Sequence, residues 1–199
     1  RIKNFLLRFK KFIIIIIIII ILSLFSIFYY QEYKENEKIN LAEKYNLLVT
    51  KFEIENNKNV VGELKNIVNF KDKTYSPLAF YFLLDNNLIE SNKEINNFFD
   101  ILINETNLDK EIKNLTIYKK GLFNSDFVEE NVLLDILNPI IKSDSIWRPH
   151  ALYLMAEYYF AKNQIKKSKD FFEQIISIEN VNPRIKLESQ KRLRANFSE

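Results

Sequence analysis

Few residues of this sequence belong to the types that perform acid–base or metal chemistry. His150 is the only histidine, so a single chain cannot supply a multi-histidine metal site or a histidine-based catalytic triad. The carboxylate pairs Glu129 with Glu130 and Asp109 with Glu111 lie at predicted helix starts, where the helix dipole favours negative charge. We therefore predict no catalytic residue, no metal site, no cofactor and no enzymatic activity.

The composition of the 199-residue chain excludes further kinds of site. The chain has no cysteine, so it has no disulfide, thiol nucleophile or Cys-based zinc site. It has only two glycines, too few for a glycine-rich phosphate loop, and the scarcity of glycine and proline favours long helices joined by short loops. The formal net charge is +3, with most of the excess at the extreme N-terminus, so we expect no nucleic-acid partner.

The first predicted element of the chain is a membrane anchor. Residues 12–30 (FIIIIIIIIILSLFSIFYY) carry no charge, and as a helix they would cross the roughly 30 Å hydrocarbon core of a bilayer. A signal peptide has a shorter apolar region followed by small residues at a cleavage site, whereas bulky Phe28, Tyr29 and Tyr30 stand here. The segment is therefore predicted to be an uncleaved, single-pass transmembrane helix.

The charges on either side of this anchor predict its orientation. The basic residues before it are Arg1, Lys3, Arg8, Lys10 and Lys11, and those in the corresponding stretch after it are only Lys34, Lys38 and Lys44. Positively charged flanks stay in the cytoplasm. We therefore predict that residues 1–11 form a basic cytoplasmic tail, and that residues 31–199 lie in the periplasm, anchored in the inner membrane of a Gram-negative cell.

Residues 31–199 are predicted to form one helical domain, because apolar residues recur there at spacings of three and four. This periodicity predicts nine helices after the anchor. Ser76 before Pro77 matches an N-cap and a first-turn proline. Ser91 with Glu94 matches a capping box that starts the next helix.

Two features predict how the later helices end. One helix is predicted from about Leu108 to Phe123, because the stretch from Gly121 to Asp126 contains Gly and Asn, which suit a helix end. The last helix, from Asn182 to about Asn196, is predicted to cap the array. Its predicted inward residues are Ile185, Leu187 and Leu193, and its predicted outward residues are Lys186, Lys191, Arg192 and Arg194.

The segment from Leu152 to Ile178 fits the tetratricopeptide pattern of about 34 residues without a gap. Its predicted repeat-packing residues are Leu152, Met155, Ala156 and Tyr159 on the first helix and Ser168, Phe172 and Ile175 on the second. Small side chains at Ala156 and Ser168 would let the two helices cross closely. A weaker copy begins at Ser76. The predicted fold class is all-α: one N-terminal transmembrane helix, then a tetratricopeptide-like α-solenoid of about four helix pairs plus a C-terminal capping helix.

Together with the basic tail and the anchor, two segments of the chain resemble a known family. They are YSPLAFYFLL and IWRPHALYLMAEYYFAKNQIKKSKDFFEQI, and they resemble the YfgM-like, tetratricopeptide-like family of single-pass bacterial inner-membrane proteins, in the arrangement of alphaproteobacterial members. This family includes the ancillary subunit of the Sec translocon. The resemblance implies a periplasmic domain that associates with the SecYEG translocon and with periplasmic chaperones, without catalysis.

In tetratricopeptide arrays, the first helix of each pair lines a concave groove that binds peptides. In the register above, the residues that would face this groove are His150, Tyr153, Glu157 and Phe160. We predict that these four residues contact a bound peptide. The alternative is that the terminal repeat packs this face beneath the last helix.

The leading functional hypothesis is a membrane-anchored periplasmic scaffold that mediates protein–protein interactions. Confinement at the membrane would raise the effective concentration of its partners, so that individually weak contacts suffice. Two alternatives keep the fold. One is an organelle-membrane receptor whose cytosolic repeat domain binds targeting peptides, and the other is a structural or assembly subunit of a larger membrane complex.

Overall fold

The computed structural model describes residues 2–55, 57–179 and 181–197, and within these ranges it does not describe the side chains of residues 2–11, 13, 17, 196 and 197. All regular structure in the described ranges is helical, which confirms the predicted all-α class. The helices are α1 (Ile2–Glu55), α2 (Val60–Asn69), α3 (Tyr75–Asp85), α4 (Asn92–Asp100) with a π-helical turn (Ile101–Glu105), α5 (Lys110–Asn124), α6 (Glu130–Ile141), α7 (Arg148–Ala161), α8 (Ile165–Ile176) and α9 (Pro183–Phe197). The chain divides into two compact units, Arg1–Val60 and Val61–Glu199.

Helix α1 is continuous over 54 residues, which corresponds to about 80 Å at the rise of an α-helix. The sequence predicted a membrane helix over residues 12–30 and a separate helix after it, whereas α1 has no break between them. The reason is local. The chain has no glycine before Gly62 and no proline before Pro77, so neither helix-breaking residue occurs in this stretch.

From Ile14 onward, α1 is long and apolar enough to cross a membrane. Every described side chain from residue 12 to residue 30 is exposed, and Ile15 and Phe28 are 53% and 70% exposed. The basic side chains of residues 1–11, on which the predicted orientation depends, lie outside the described part of the chain.

In the second unit, helices that follow one another in sequence are neighbours in space. Each of α4 to α8 packs on the helix that follows it, and α7 also contacts α5 and α9. One core cluster joins α5, α6 and α7 around Leu137 and Met155. A second joins α7 and α8 around Ala156 and Phe172. Helix α7 contributes to both clusters and packs most extensively with α8.

One of the two hydrogen bonds of the predicted capping box is present at the start of α4. The Ser91 hydroxyl oxygen accepts a hydrogen bond from the backbone N–H of Glu94 at 3.3 Å. The Glu94 carboxylate accepts a hydrogen bond from Lys65 of α2, at 2.8 Å. Glu94 therefore also connects α4 to α2.

The predicted N-cap role of Ser76 is wrong. Helix α3 begins at Tyr75, and the carboxylate of Asp72 accepts the backbone N–H groups of Thr74 at 2.8 Å and Tyr75 at 2.7 Å. Ser76 is fully buried and donates its hydroxyl hydrogen to the Ile67 carbonyl at 2.7 Å. Its hydroxyl joins α3 to α2, a contact between residues distant in sequence that local capping rules do not include.

Helix α5 ends at Asn124, one residue beyond the predicted end at Phe123, so Gly121 lies inside the last turn of the helix. Gly121 is buried against α6. A Cβ atom at this position would lie 2.5 Å from Cδ2 and 3.0 Å from Cγ of Leu137, whose side chain is itself fully buried. The glycine is therefore needed for the close approach of α5 to α6, and its conformational freedom is not used.

The two glycines of the chain provide a matched pair of substitutions that tests this packing. Gly121→Ala should lower the free energy of unfolding by about 1–2 kcal/mol, because overpacking outweighs the higher helix propensity of alanine. Gly62→Ala, where the added Cβ meets nothing within 4 Å, should raise it by up to about 1 kcal/mol. Both are measured by thermal unfolding of the full chain in detergent, followed by the fluorescence of Trp147, the only tryptophan. A Gly121→Ala variant as stable as the wild type would contradict the close approach.

Candidate functional site

The predicted repeat-packing residues form the contact between α7 and α8. All seven side chains are buried: Leu152, Met155, Ala156, Tyr159, Ser168, Phe172 and Ile175. The Ser168 hydroxyl donates a hydrogen bond to the Ala156 carbonyl at 2.8 Å. A bond from a side chain on one helix to the backbone of the other requires close approach, which small residues at both positions allow. This contact holds α7 in place. The predicted groove residues, which we call the α7 stripe, are His150, Tyr153, Glu157 and Phe160, and of these Tyr153 also packs against Phe172 of α8, with ring centroids 5.4 Å apart.

Helix α9 covers the C-terminal half of the α7 stripe. The Arg192 guanidinium forms an ion pair with Glu157, in which Nη2 donates a hydrogen bond to Oε2 at 2.9 Å and Nε lies 2.8 Å from Oε1. The same guanidinium lies 5.9 Å from the ring centroid of Phe160. Glu157 and Phe160 therefore pack beneath the last helix, as the alternative interpretation of this face expected.

Two of the predictions for the faces of α9 are wrong. Ile185 and Leu193 pack against the second core cluster, but Leu187 is 51% exposed. Arg192 faces α7 and pairs with Glu157. The helical period alone did not distinguish these positions, because a long cationic side chain at the edge of a packed face can contact an acidic group on the neighbouring helix.

His150, the first residue of the α7 stripe, belongs to an aromatic cluster. The His150 ring centroid lies 5.1 Å from that of Trp147 and 5.8 Å from that of Tyr118, and the Tyr118 and Trp147 rings stack at 6.0 Å. Burial lowers the pKa of His150, and the backbone carbonyl of Ile146 opposes part of this effect. The imidazole is therefore neutral at pH 7 and acts as an aromatic wall.

Two adjoining clefts open beside this aromatic cluster. The larger has a volume of about 1020 Å³ and is lined by residues 144–150, Ser177, Ile178, Glu179 and Asn182. The smaller, about 420 Å³, is lined by Tyr118, His150, Tyr153, Asn182, Arg184, Ile185 and Glu188. They share His150 and Asn182, so we treat them as one site, the α7 cleft.

The loop residues of the α7 cleft were missed by sequence reasoning. The α6–α7 loop and the α8–α9 loop meet only because α7 and α8 pack side by side, and no local pattern shows this. One available signal was the apolar pair Ile146 and Trp147 after the polar residues 142–145, and Ile146 is 67% exposed. Of the α7 stripe, His150 and Tyr153 line the cleft, whereas Glu157 and Phe160 lie under α9.

The carboxylate pairs considered from the sequence make structural contacts. The Glu130 carboxylate of α6 accepts hydrogen bonds from Lys167 at 2.7 Å, from the Tyr159 hydroxyl at 3.0 Å and from Gln164 at 3.3 Å. The Lys167 ammonium is the main cause of a lowered Glu130 pKa, to which Tyr159 and Gln164 also contribute. Glu111 accepts a hydrogen bond from the Ser145 hydroxyl at 2.7 Å.

No group of three or more His, Cys, Asp or Glu side chains in the described ranges is arranged to hold a metal ion. Comparison of the chain with protein-family models, with curated proteins and with solved structures finds no match. In the part of the chain that the structure describes, the fold is that of a helical protein with one candidate membrane-spanning helix.

The Glu130 contacts predict a pH-dependent contribution to stability. At pH 7, Glu130→Gln should lower the free energy of unfolding by about 1 kcal/mol, because the charge on Lys167 loses its partner. Glu129→Gln is the matched control, since the Glu129 side chain is exposed and makes no capping hydrogen bond. This variant should change stability by less than about 0.5 kcal/mol.

The pH range of this effect follows from the direction of the shift. A lowered pKa in the folded state means that the stabilisation is present above the ordinary value of 4.5 and is lost as the pH falls through the folded-state value. The difference between wild type and Glu130→Gln should therefore be largest near neutral pH and shrink in acid. Unfolding curves collected across the acid range, in which the difference stays constant or grows on acidification, would contradict the ion pair.

Proposed function

We propose that this chain is a single-pass membrane protein whose helical unit is a periplasmic, tetratricopeptide-like scaffold for protein–protein interactions. The observation that carries the proposal is the apolar surface of α1, whose described side chains from residue 12 to residue 30 are all exposed. An exposed apolar surface of this length is unfavourable in water and favourable in a bilayer. In lipid a helix also satisfies every backbone hydrogen bond internally.

The packing of the second unit supports a repeat array. Contacts run from each helix to its successor between α4 and α9, as expected where every helix pair contacts only its neighbours. The α7–α8 pair has the close crossing at Ala156 and Ser168 that the tetratricopeptide pattern requires. The exposed Ile146 beside the open α7 cleft supports an interaction surface on this unit.

The proposed periplasmic side and the proposed partners rest on the sequence. The excess of basic residues before the anchor supports a cytoplasmic N-terminus. The resemblance to the YfgM-like family supports the SecYEG translocon and periplasmic chaperones as partners. The two alternatives, an organelle receptor with a cytosolic domain and an assembly subunit of a larger complex, give different outcomes in the following experiments.

Extraction and protease accessibility test the anchor and its orientation. The chain should remain in the membrane pellet after alkaline extraction, because α1 is embedded in lipid. Protease added to sealed spheroplasts should degrade residues 31–199, with a cytoplasmic protein as the protected control. Release into the alkaline supernatant would contradict the anchor. A helical unit protected until the membrane is permeabilised would contradict the periplasmic side and favour the cytosolic-domain alternative.

Site-specific photo-crosslinking tests the partners. A photoreactive residue at Ile146, in the α7 cleft, should give adducts with a translocon subunit or a periplasmic chaperone in native membranes. Ile165 is the matched control, since it is 42% exposed at the start of α8 and does not line the cleft. Adducts of equal yield at both positions, or Ile146 adducts with neither class of partner, would contradict the proposal. A stable stoichiometric complex on native gels that contains neither partner would favour the assembly-subunit alternative.

A further inference from the structure

Four aromatic side chains line the α7 cleft. Trp147 lines its larger part, and Tyr118, His150 and Tyr153 line its smaller part. The rings of Tyr118, Trp147 and His150 contact one another, with centroids 5.1, 5.8 and 6.0 Å apart. All four side chains are half-buried. The cleft therefore has a wall of contacting aromatic rings that is still partly accessible.

Hydrogen-bond donors without an acceptor accompany this wall. The Tyr118 hydroxyl, the Trp147 indole N–H and the Arg148 guanidinium have no hydrogen-bond partner among the described residues, and the Nε atom of Arg148 is buried. Burial raises the pKa of Tyr118, so its hydroxyl keeps its hydrogen. A donor that loses water without gaining an acceptor costs about 1–3 kcal/mol. A ligand that brings acceptors to this wall recovers that cost.

The acceptors of the cleft are mostly occupied. Asp144 accepts a hydrogen bond from Lys110 at 2.7 Å, and Glu188 accepts one from Lys191 at 3.0 Å. Among the described lining residues, Glu179 alone keeps a carboxylate without a partner. A peptide of ordinary sequence presents one N–H donor for each carbonyl. The cleft therefore favours a segment that offers carbonyl groups and lacks N–H groups.

We propose that the α7 cleft binds a proline-rich segment of a partner protein in the polyproline II conformation. Consecutive prolines offer carbonyl acceptors and no backbone N–H donors, which complements the free donors of the cleft. Their rings pack on Tyr118, Trp147 and His150, as in other aromatic-lined grooves that bind such segments. The segment is already extended before binding, so it loses little conformational entropy. This inference rests on the proposed function, since it names the kind of segment that the scaffold binds.

Three hexapeptides with both ends blocked test the proposal on the full chain in detergent. They are the N-acetylated amides of hexa-L-proline, hexa-D-proline and hexa-L-alanine, so none of them carries a charge. The D-proline peptide keeps the composition and reverses the hand of the helix, and the alanine peptide adds backbone N–H groups. Binding is measured by calorimetry and located by the fluorescence of Trp147, the only tryptophan. The L-proline peptide should bind saturably and change the fluorescence, and the other two should bind at least about 10-fold more weakly.

Substitutions that keep an aromatic ring test the hydrogen bonds of the cleft. Tyr118→Phe and Trp147→Phe each remove one donor, and each should weaken binding of the L-proline peptide by about 3- to 10-fold in calorimetry. Tyr33→Phe is the matched control and should leave binding unchanged, because it removes a hydroxyl from an exposed tyrosine of α1 outside the cleft. Thermal unfolding followed by circular dichroism verifies that each variant is folded. The comparison of the L- and D-proline peptides on the wild type decides even if a variant is not.

Four outcomes would overturn the proposal. They are binding of the D-proline peptide as tight as that of the L-proline peptide, equally tight binding of the alanine peptide, unchanged binding in both Tyr118→Phe and Trp147→Phe, and equal loss of binding in Tyr33→Phe and Tyr118→Phe. The proposed function fails separately. If none of the peptides binds while Ile146 still crosslinks to an envelope partner, only the proline inference is wrong. If the chain does not integrate into membranes, the proposed function is wrong whatever the peptides do.

Discussion

The close crossing of α7 and α8 determines the position of the other parts of the second unit. At this crossing the Ser168 hydroxyl reaches the Ala156 carbonyl at 2.8 Å, with both residues fully buried. Larger side chains at either position would separate the helices, and Phe172 would no longer fill the space beside them. Because the two helices lie side by side, the loop that precedes α7 and the loop that follows α8 meet, and the α7 cleft lies between them.

Two ion pairs connect neighbouring helices of the second unit but contribute little to its stability. Glu130 with Lys167 connects α6 to α8, and Glu157 with Arg192 connects α7 to α9. Partly exposed pairs of this kind contribute about 1 kcal/mol or less each, whereas the two apolar clusters bury the side chains that drive folding. The ion pairs select one arrangement of these surfaces.

The first unit follows a different physical rule. Its isoleucine-rich stretch has side chains of modest helix propensity in water, since β-branched residues lose rotamer freedom in a helix. In a bilayer the backbone hydrogen bonds must form within the segment, so a lipid environment favours the helix. The helix continues to Glu55 without a break, and the residues after the proposed span, from 31 onward, extend it by about 35 Å at the rise of an α-helix.

The sequence by itself determined the all-α class, the long apolar segment near the N-terminus, the approximate position of most helices and the capping bond of Ser91. These features depend on local composition and on contacts between residues a few positions apart, which a single chain segment contains. The tertiary structure decided what lies between distant segments. Ser76 bonds to α2, Gly121 admits Leu137, Arg192 turns inward to Glu157, and Ile146 of the α6–α7 loop and Arg148 at the start of α7 form a cleft with the loop after α8. Each of these depends on which helices become neighbours, and that is determined by the fit of buried surfaces across the whole unit.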